Sequence, residues 1–105
     1  MAAELNVSVA NDEGQVVISL SGELDMETRR KLLACVAEQT ANGNRHLVLD
    51  LADVTFIDSQ GLAAFILARD QVTVEFGTLR LRRLTRNATR LLEMSGLLGE
   101  LDVQS

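Results

Sequence analysis

Alternating apolar and polar positions open the chain and predict a β-hairpin. Leu5, Val7 and Val9 are separated by polar residues, and a second apolar stretch covers residues 16–21. Residues 11–14, Asn-Asp-Glu-Gly, lie between the two stretches and have the composition of a tight turn. We therefore expect the first two strands to pair antiparallel with each other.

The hydrophobic period then changes from two residues to that of a helix. Leu32 and Val36 lie on one stripe of the segment 26–42, which predicts an amphipathic helix. Asp25 precedes this segment as the expected N-cap, and Gly43 follows it as the expected stop.

A short and almost continuously apolar run predicts the central strand of a sheet. Residues 47–51 read Leu-Val-Leu-Asp-Leu between polar neighbours, a pattern typical of a strand that is covered on both faces. A second helix should begin near Ser59. Its end is ambiguous, because residues 71–76 alternate like a strand but also lie where the helix would continue. We interpret them as helix.

The remaining segments complete an alternating series of strands and helices. Residues 79–82 alternate as a strand with one solvated face, Thr85 can cap a helix that ends before Gly96, and residues 101–103 predict a short last strand. The order β-β-α-β-α-β-α-β defines an α/β fold with a mixed β-sheet, whose later strands run parallel through crossover helices. Because the chain has no proline and no linker-like stretch, we expect residues 1–105 to form a single domain.

Charge and composition argue against nucleic acid as a direct partner. Ten basic and fifteen acidic residues give a net charge of −5, and the only aromatic residues are three phenylalanines. The charge is regional, because residues 1–78 carry five basic and twelve acidic side chains whereas residues 79–105 carry five and three. We interpret the arginines of the second region as the solvated face of a strand and a helix.

Single cysteine and histidine residues limit the possible chemistry. Cys35 is the only cysteine, so no internal disulfide can form, and a free thiol favours the reducing cytoplasm. Cys35 and His46 cannot form a zinc site by themselves, and no dinucleotide- or phosphate-binding glycine motif is present. No apolar run approaches the length of a membrane span. We expect a cytoplasmic protein with no cofactor, no metal and no membrane contact.

Two short acidic segments carry the candidate chemistry. Residues 22–25, Gly-Glu-Leu-Asp, and residues 56–61, Phe-Ile-Asp-Ser-Gln-Gly, each lead from a strand toward a helix, so we expect both to lie at one edge of the sheet. Ser59 would then lie at a helix N-terminus, either as the cap itself or one residue past an Asp58 cap, and its hydroxyl could also be modified by another protein. A hydrolytic role for Ser59 is disfavoured, because His46 should lie roughly 20 Å away across the central strand.

These segments, together with residues 46–51 and 92–97, resemble the successive signatures of STAS domains of the bacterial anti-sigma factor antagonist type. The resemblance spans nearly the whole chain in the right order. It implies that Ser59 is phosphorylated by an anti-sigma factor that is itself a serine kinase. Gln60 stands where many relatives have a second serine, which leaves Ser59 as the acceptor.

The resemblance also implies a non-enzymatic partner switch. The unphosphorylated protein would bind an anti-sigma factor kinase of the GHKL type and so free a sigma factor, phosphorylation would release the kinase, and a PPM-type phosphatase would restore the first state. ATP would belong to the kinase, and the protein would be a monomer or weak dimer. The alternative is an unphosphorylated STAS subunit of a transport or lipid-handling complex. The residues expected in the switch loops are Glu23, Asp25, Asp58, Gln60 and Gly61.

Overall fold

The computed structural model describes residues 3–104 of the chain, in which strands and helices alternate in the predicted order. The five strands are β1 (Leu5–Asp12), β2 (Gln15–Leu24), β3 (His46–Ile57), β4 (Thr78–Arg82) and β5 (Asp102–Gln104). The three α-helices are α1 (Arg29–Ala41), α2 (Ser59–Val74) and α3 (Arg86–Ser95), and a 3-10 turn at Leu98–Glu100 precedes β5.

The strands form one mixed sheet in the order β1-β2-β3-β4-β5. β1 and β2 pair antiparallel as a hairpin, and each later strand is parallel to the one before it. A helix connects each of the first two parallel pairs, as parallel neighbours require a long crossover. The predicted α/β class, the opening hairpin and the parallel later strands are confirmed.

One hydrophobic cluster joins the sheet to all three helices. Leu47, Leu49 and Leu51 point to this cluster from β3, whereas Val48 and Asp50 lie on the opposite face of the strand. All five residues are buried, which confirms the prediction of a central strand covered on both faces. The helices contribute side chains that are 0% exposed: Leu32, Val36, Ala64, Phe65, Ala68, Val72 and Leu92. In the described part of the chain, no helix is long and apolar enough to cross a membrane.

Helix α1 begins later than the sequence predicts. The Asp25 carboxylate accepts hydrogen bonds from the backbone N–H groups of Glu27 (2.9 Å) and Thr28 (3.0 Å), so it stabilises the turn that leads into the helix. Regular helix then starts at Arg29, with Thr28 at the N-cap position. Asp25 is therefore the capping side chain of the preceding turn and does not occupy the N-cap of α1.

Strand β3 is longer than the predicted run of 47–51. It continues to Ile57 as a partner of β2, through two register shifts between Ser19 and Ser21 and between Gly22 and Glu23. The ladder with β4 ends where Asp50 faces Arg82. The ends of β2 and β3 therefore extend beyond β4, and both candidate loops follow from this extension.

The helical interpretation of the segment 71–76 is confirmed as far as Val74, and residues 75–76 form the turn that follows α2. Val72 is fully buried and continues the spacing of Phe65 and Ala68 along the inner side of α2. Val74 and Phe76 are 74% and 94% exposed, so the alternation of apolar residues does not correspond to a buried strand face.

Candidate functional site

The two acidic loops lie side by side at the ends of β2 and β3. Glu23 pairs with Phe56 and Leu24 with Ile57 at the end of the parallel ladder, and the Asp58 N–H donates to the Leu24 carbonyl at 3.4 Å. Because neighbouring parallel strands end at the same edge, both loops share one surface. We call the surface formed by residues 22–29 and 55–61 the paired-loop surface.

Gly61 permits the close approach of these loops. A Cβ atom at this position would lie 2.3 Å from the Leu24 carbonyl oxygen and 2.9 Å from Cγ1 of Ile57. Both distances are below van der Waals contact, so the first turn of α2 can rest against the end of β2 only without a side chain here. Gly61 thus has a structural role at the surface.

The side chain that caps α2 is that of Asp58. Its Oδ1 atom accepts the backbone N–H groups of Gln60 at 3.0 Å and Gly61 at 2.9 Å. Ser59 is the first residue of the helix and is exposed. The capping role that the sequence left open between Asp58 and Ser59 therefore belongs to Asp58, and the Ser59 hydroxyl is not needed for it.

A hydrogen-bond network fixes the first loop. The Thr28 hydroxyl donates to the Glu23 carbonyl at 2.7 Å and accepts from the Asp25 N–H at 3.0 Å. Thr28 is only 8% exposed, whereas Glu23 and Asp25 are half-buried. The carboxylate of Asp25 is thereby held in place by the loop itself, close to the start of α1.

A contact between side chains connects the two loops. Nη1 of Arg29, at the start of α1, donates to Oε1 of Gln60 at 3.0 Å. The Thr55 hydroxyl adds a second connection by donating to the Gly22 carbonyl at 3.1 Å. The structure thus brings together all six residues that the sequence singled out: Glu23, Asp25, Asp58, Ser59, Gln60 and Gly61.

Two large apolar side chains are exposed on the same surface. Met26 in the first loop is 58% exposed, and Phe56 at the end of β3 is 47% exposed. Exposed apolar side chains next to charged ones are a composition typical of protein interfaces, where aromatic residues and methionine are enriched. Neither residue is among those expected in the switch loops from the sequence, although Phe56 lies within the second acidic segment and Met26 directly follows the first.

A buried carboxylate between β3 and β4 was also missed. Asp50 is 3% exposed and accepts from Nε of Arg82 (3.1 Å), from Nε of Arg83 (3.1 and 3.0 Å) and from the Ala52 N–H (3.1 Å). Burial by itself raises the pKa of Asp50, but the hydrogen bonds from Arg83, Ala52 and Arg82 together hold this pKa below its ordinary value. The single carboxylate in the run 47–51 was the available signal.

The remaining candidates lie elsewhere. His46 is the first residue of β3, so the 12-residue strand, on the order of 30 Å long, separates it from Ser59. Its ring nitrogen Nδ1 lies 2.9 Å from the Thr78 hydroxyl oxygen. Cys35 is half-buried in α1, where burial and then the nearby Glu38 raise the pKa of its thiol. Among residues 3–104, no group of three or more histidine, cysteine or carboxylate side chains is arranged to hold a metal ion.

Comparison with known proteins identifies the family. A family model described as "Mlab, STAS domain" matches residues 7–102. The Anti-sigma-B factor antagonist of Bacillus subtilis (strain 168) is 31% identical over 104 residues, which are 96% of this chain and 92% of the relative. The chain therefore belongs to the STAS-domain family of anti-sigma factor antagonists.

Solved structures share its fold. An anti-sigma factor antagonist from Mycobacterium paratuberculosis superposes with a TM-score of 0.83 at 26% identity, covering 95% of this chain and 85% of the relative. The Bacillus anti-sigma factor antagonist SpoIIAA, 19% identical, matches in its unphosphorylated form with a TM-score of 0.76 and in its phosphorylated form with 0.70. Each SpoIIAA match covers 95% of this chain, and 89% and 92% of the respective relative.

Proposed function

We propose that this protein is an anti-sigma factor antagonist that works as a phosphorylation-controlled partner switch. With Ser59 unphosphorylated, the paired-loop surface binds an anti-sigma factor that is a serine kinase of the GHKL type, and a sigma factor is set free. Phosphorylation of Ser59 releases the kinase, and a PPM-type phosphatase removes the phosphate. In this function the chain performs no catalysis, and ATP is bound by the kinase.

The observation that carries the proposal is the position of Ser59. Its side chain is exposed at the first residue of α2, and capping of the helix depends on Asp58 instead. A hydroxyl that the fold does not use can enter the active site of another protein without disturbing the domain. The names of the relatives support the kind of partner, because they are antagonists of anti-sigma factors.

The surroundings of Ser59 explain how a phosphate would weaken binding. A phosphate on Ser59 adds a charge of about −1.5 to −2 next to Asp58, on a surface that also carries the carboxylates of Asp25 and Glu23. The same surface exposes Met26 and Phe56, whose burial by a partner would remove water from the neighbouring charges. If the added charge costs about 3 kcal/mol in the complex, affinity falls by about two orders of magnitude.

The test is phosphorylation by the cognate kinase with ATP, followed by intact-mass and binding measurements. The proposal predicts one added phosphate, located at Ser59, and a Kd for the kinase that rises by about 100-fold. Ser59→Ala should accept no phosphate and should keep its affinity. Ser8→Ala, which changes an exposed serine of β1, is the matched control and should behave as the wild type.

A different result would favour the alternative function. If the purified protein binds a partner but remains unmodified with an active cognate kinase, the switch is wrong. An unphosphorylated STAS subunit of a transport or lipid-handling complex would then be the better assignment. Phosphate on a residue other than Ser59 would contradict the assigned site while leaving the kinase as a partner.

A further inference from the structure

A cation, Arg29, contacts the residue that directly follows the proposed phosphorylation site. Gln60 follows Ser59 directly, and its side-chain oxygen accepts from Nη1 of Arg29 at 3.0 Å. Arg29 is half-buried at the start of α1, so its guanidinium is held between the two loops. The arginine side chain is long and has several rotatable bonds, so its guanidinium can reorient without movement of the backbone.

The other charged groups of the paired-loop surface are acidic. Asp58 and Asp25 carry the two capping carboxylates, and Glu23 and Glu27 add two more negative side chains. The next two cations of α1 lie apart from this contact. Lys31 donates to the Leu5 carbonyl at 2.8 Å, and Arg30 lines a cavity with Leu5 and Lys31 at the N-terminal side of the domain.

We propose that Arg29 exchanges partners when Ser59 is phosphorylated: its guanidinium leaves the Gln60 amide and donates to the phosphate. The inference rests on the proposed function for the phosphorylation of Ser59, and it adds which side chain of the same chain binds the phosphate. A charge-assisted hydrogen bond is about twice as strong as one to a neutral amide, and the guanidinium fork matches phosphate oxygens. The exchange changes only the side-chain conformation of Arg29, so α1 and α2 can keep their positions.

The exchange has a consequence for the partner. In the unphosphorylated state Arg29 carries a positive charge on the paired-loop surface with a neutral hydrogen-bond partner. In the phosphorylated state this charge would be paired within the chain, so the surface loses an available cation and gains an anion. The phosphate changes the charge that the anti-sigma factor meets, and its pairing with Arg29 removes a donor that the anti-sigma factor could otherwise bind.

A titration of phosphoserine tests the exchange without any kinase. Phosphoserine is introduced at position 59 during translation, and its second pKa is followed by 31P NMR. A free phosphoserine has a second pKa of about 6, which the neighbouring carboxylates raise and a bound guanidinium lowers. We expect the pKa to be about 0.5 to 1 unit lower in the wild type than in Arg29→Gln. Arg29→Lys should give an intermediate value.

Two controls separate the exchange from a general effect of charge. Arg30→Gln removes the same charge from the neighbouring position and should titrate like the wild type. Gln60→Ala removes the partner of the unphosphorylated state and should retain the low pKa. At about 1 M salt, where the Debye length is about 3 Å, the difference between wild type and Arg29→Gln should shrink only partly, because the pair is in contact.

Equal second pKa values of the phosphoserine in the wild type and in Arg29→Gln would overturn the inference. A phosphoserine pKa in Gln60→Ala that is as high as in Arg29→Gln would also overturn it. Thermal unfolding of each unphosphorylated variant checks that the fold is retained. If Arg29→Gln does not fold, the phosphoserine pKa of Arg29→Lys is compared with that of the wild type instead. The titration involves no kinase. A negative result therefore leaves the proposed function intact, and failure of phosphorylation by the kinase would leave the titration result valid.

Discussion

Asp58 caps α2 through a carboxylate oxygen and carries a negative charge on the paired-loop surface, and two substitutions separate these two properties. Asp58→Asn keeps a good capping residue, so the free energy of unfolding should change by less than about 0.5 kcal/mol. Asp58→Ala removes the hydrogen bonds to Gln60 and Gly61 and should cost about 1 kcal/mol. Urea unfolding measures both values. Equal stability of the two variants would contradict the capping role.

The same pair of variants examines the charge of Asp58 at the partner contact. If the negative charge is recognised, Asp58→Asn should weaken binding to the anti-sigma factor or slow the phosphorylation of Ser59 while stability is kept. If the affinity and the phosphorylation rate are both unchanged, the carboxylate acts only as a cap, and recognition of the paired-loop surface depends on other residues. Asp25 allows the equivalent comparison in the first loop, where its carboxylate also accepts two backbone N–H groups.

Asp50 should make the stability of the domain depend on pH. Its pKa is lowered in the folded state, so its contribution is complete above the ordinary Asp value of about 3.9 and is lost as the pH falls through the lower folded value. Asp50→Asn should cost about 2 kcal/mol at neutral pH, since hydrogen bonds to charged groups are lost. This cost should shrink at about pH 3, as measured by chemical unfolding at both pH values.

Asp102→Asn is the matched control for Asp50→Asn. Asp102 pairs with Arg80 at 3.0 Å on the neighbouring strand, but both side chains are half or more exposed. Such a pair contributes between about 0 and 1 kcal/mol, and its removal should leave the pH dependence almost unchanged. A pH dependence that persists fully in Asp50→Asn would show that other groups cause it.

Some residue roles could not be predicted from the sequence. Asp and Ser are both good capping residues, so only the backbone geometry could decide between Asp58 and Ser59. The contacts of Asp50 depend on the register between β3 and β4, which places Arg82 opposite it, and on the positive φ of Arg83 at +54°. The hydrophobic period predicts where the strands lie but not their register. Arg82 and Arg83, which the pattern assigns to a solvated face, therefore donate to the buried carboxylate of Asp50.

At the scale of elements, the close contact between α2 and the end of β2 depends on Gly61. Gly61→Ala should destabilise the protein by about 1 to 2 kcal/mol, because overpacking costs up to about 3 kcal/mol and the higher helix propensity of alanine returns only about 1 kcal/mol. Thermal unfolding measures the change. Gly99→Ala, where a Cβ would meet no atom within 4 Å, is the control and should change stability little. A stable Gly61→Ala protein would contradict the tight packing.

The elements that the sequence predicted well are those with local signals. The hairpin turn, the Thr85 cap of α3 and its αL stop at Gly96 are determined by neighbouring residues, and the structure confirms each. The extension of β3 to Ile57 has no such signal, because Ala52 and Asp53 interrupt the apolar pattern and the pairing partner is the distant β2. The paired-loop surface exists because of this extension, so its shape could not be derived from the chain alone.

For the whole molecule, the proposed switch would act in the part of the chain that is already acidic. All residues of the paired-loop surface lie within residues 1–78, the part with twelve acidic and five basic side chains. The fold of this chain matches SpoIIAA in its unphosphorylated and its phosphorylated form. A phosphate on the exposed side chain of Ser59 would change charge and contacts at the surface, and nothing in the position of Ser59 requires the five-stranded sheet to rearrange.

Phosphorylation of Ser59 should change the structure only near the paired-loop surface. With phosphoserine placed at position 59, amide chemical shifts should move in residues 22–29 and 55–62 and remain unchanged in β4, β5 and α3. The free energy of unfolding should differ from that of the unmodified protein by less than about 1 kcal/mol, because the phosphate lies on an exposed side chain with Arg29 nearby. Two-dimensional 1H–15N spectra and urea unfolding measure both. Shifts that spread through α3 and the sheet would instead require a conformational switch, and the loss of affinity could then no longer be attributed to charge at the paired-loop surface.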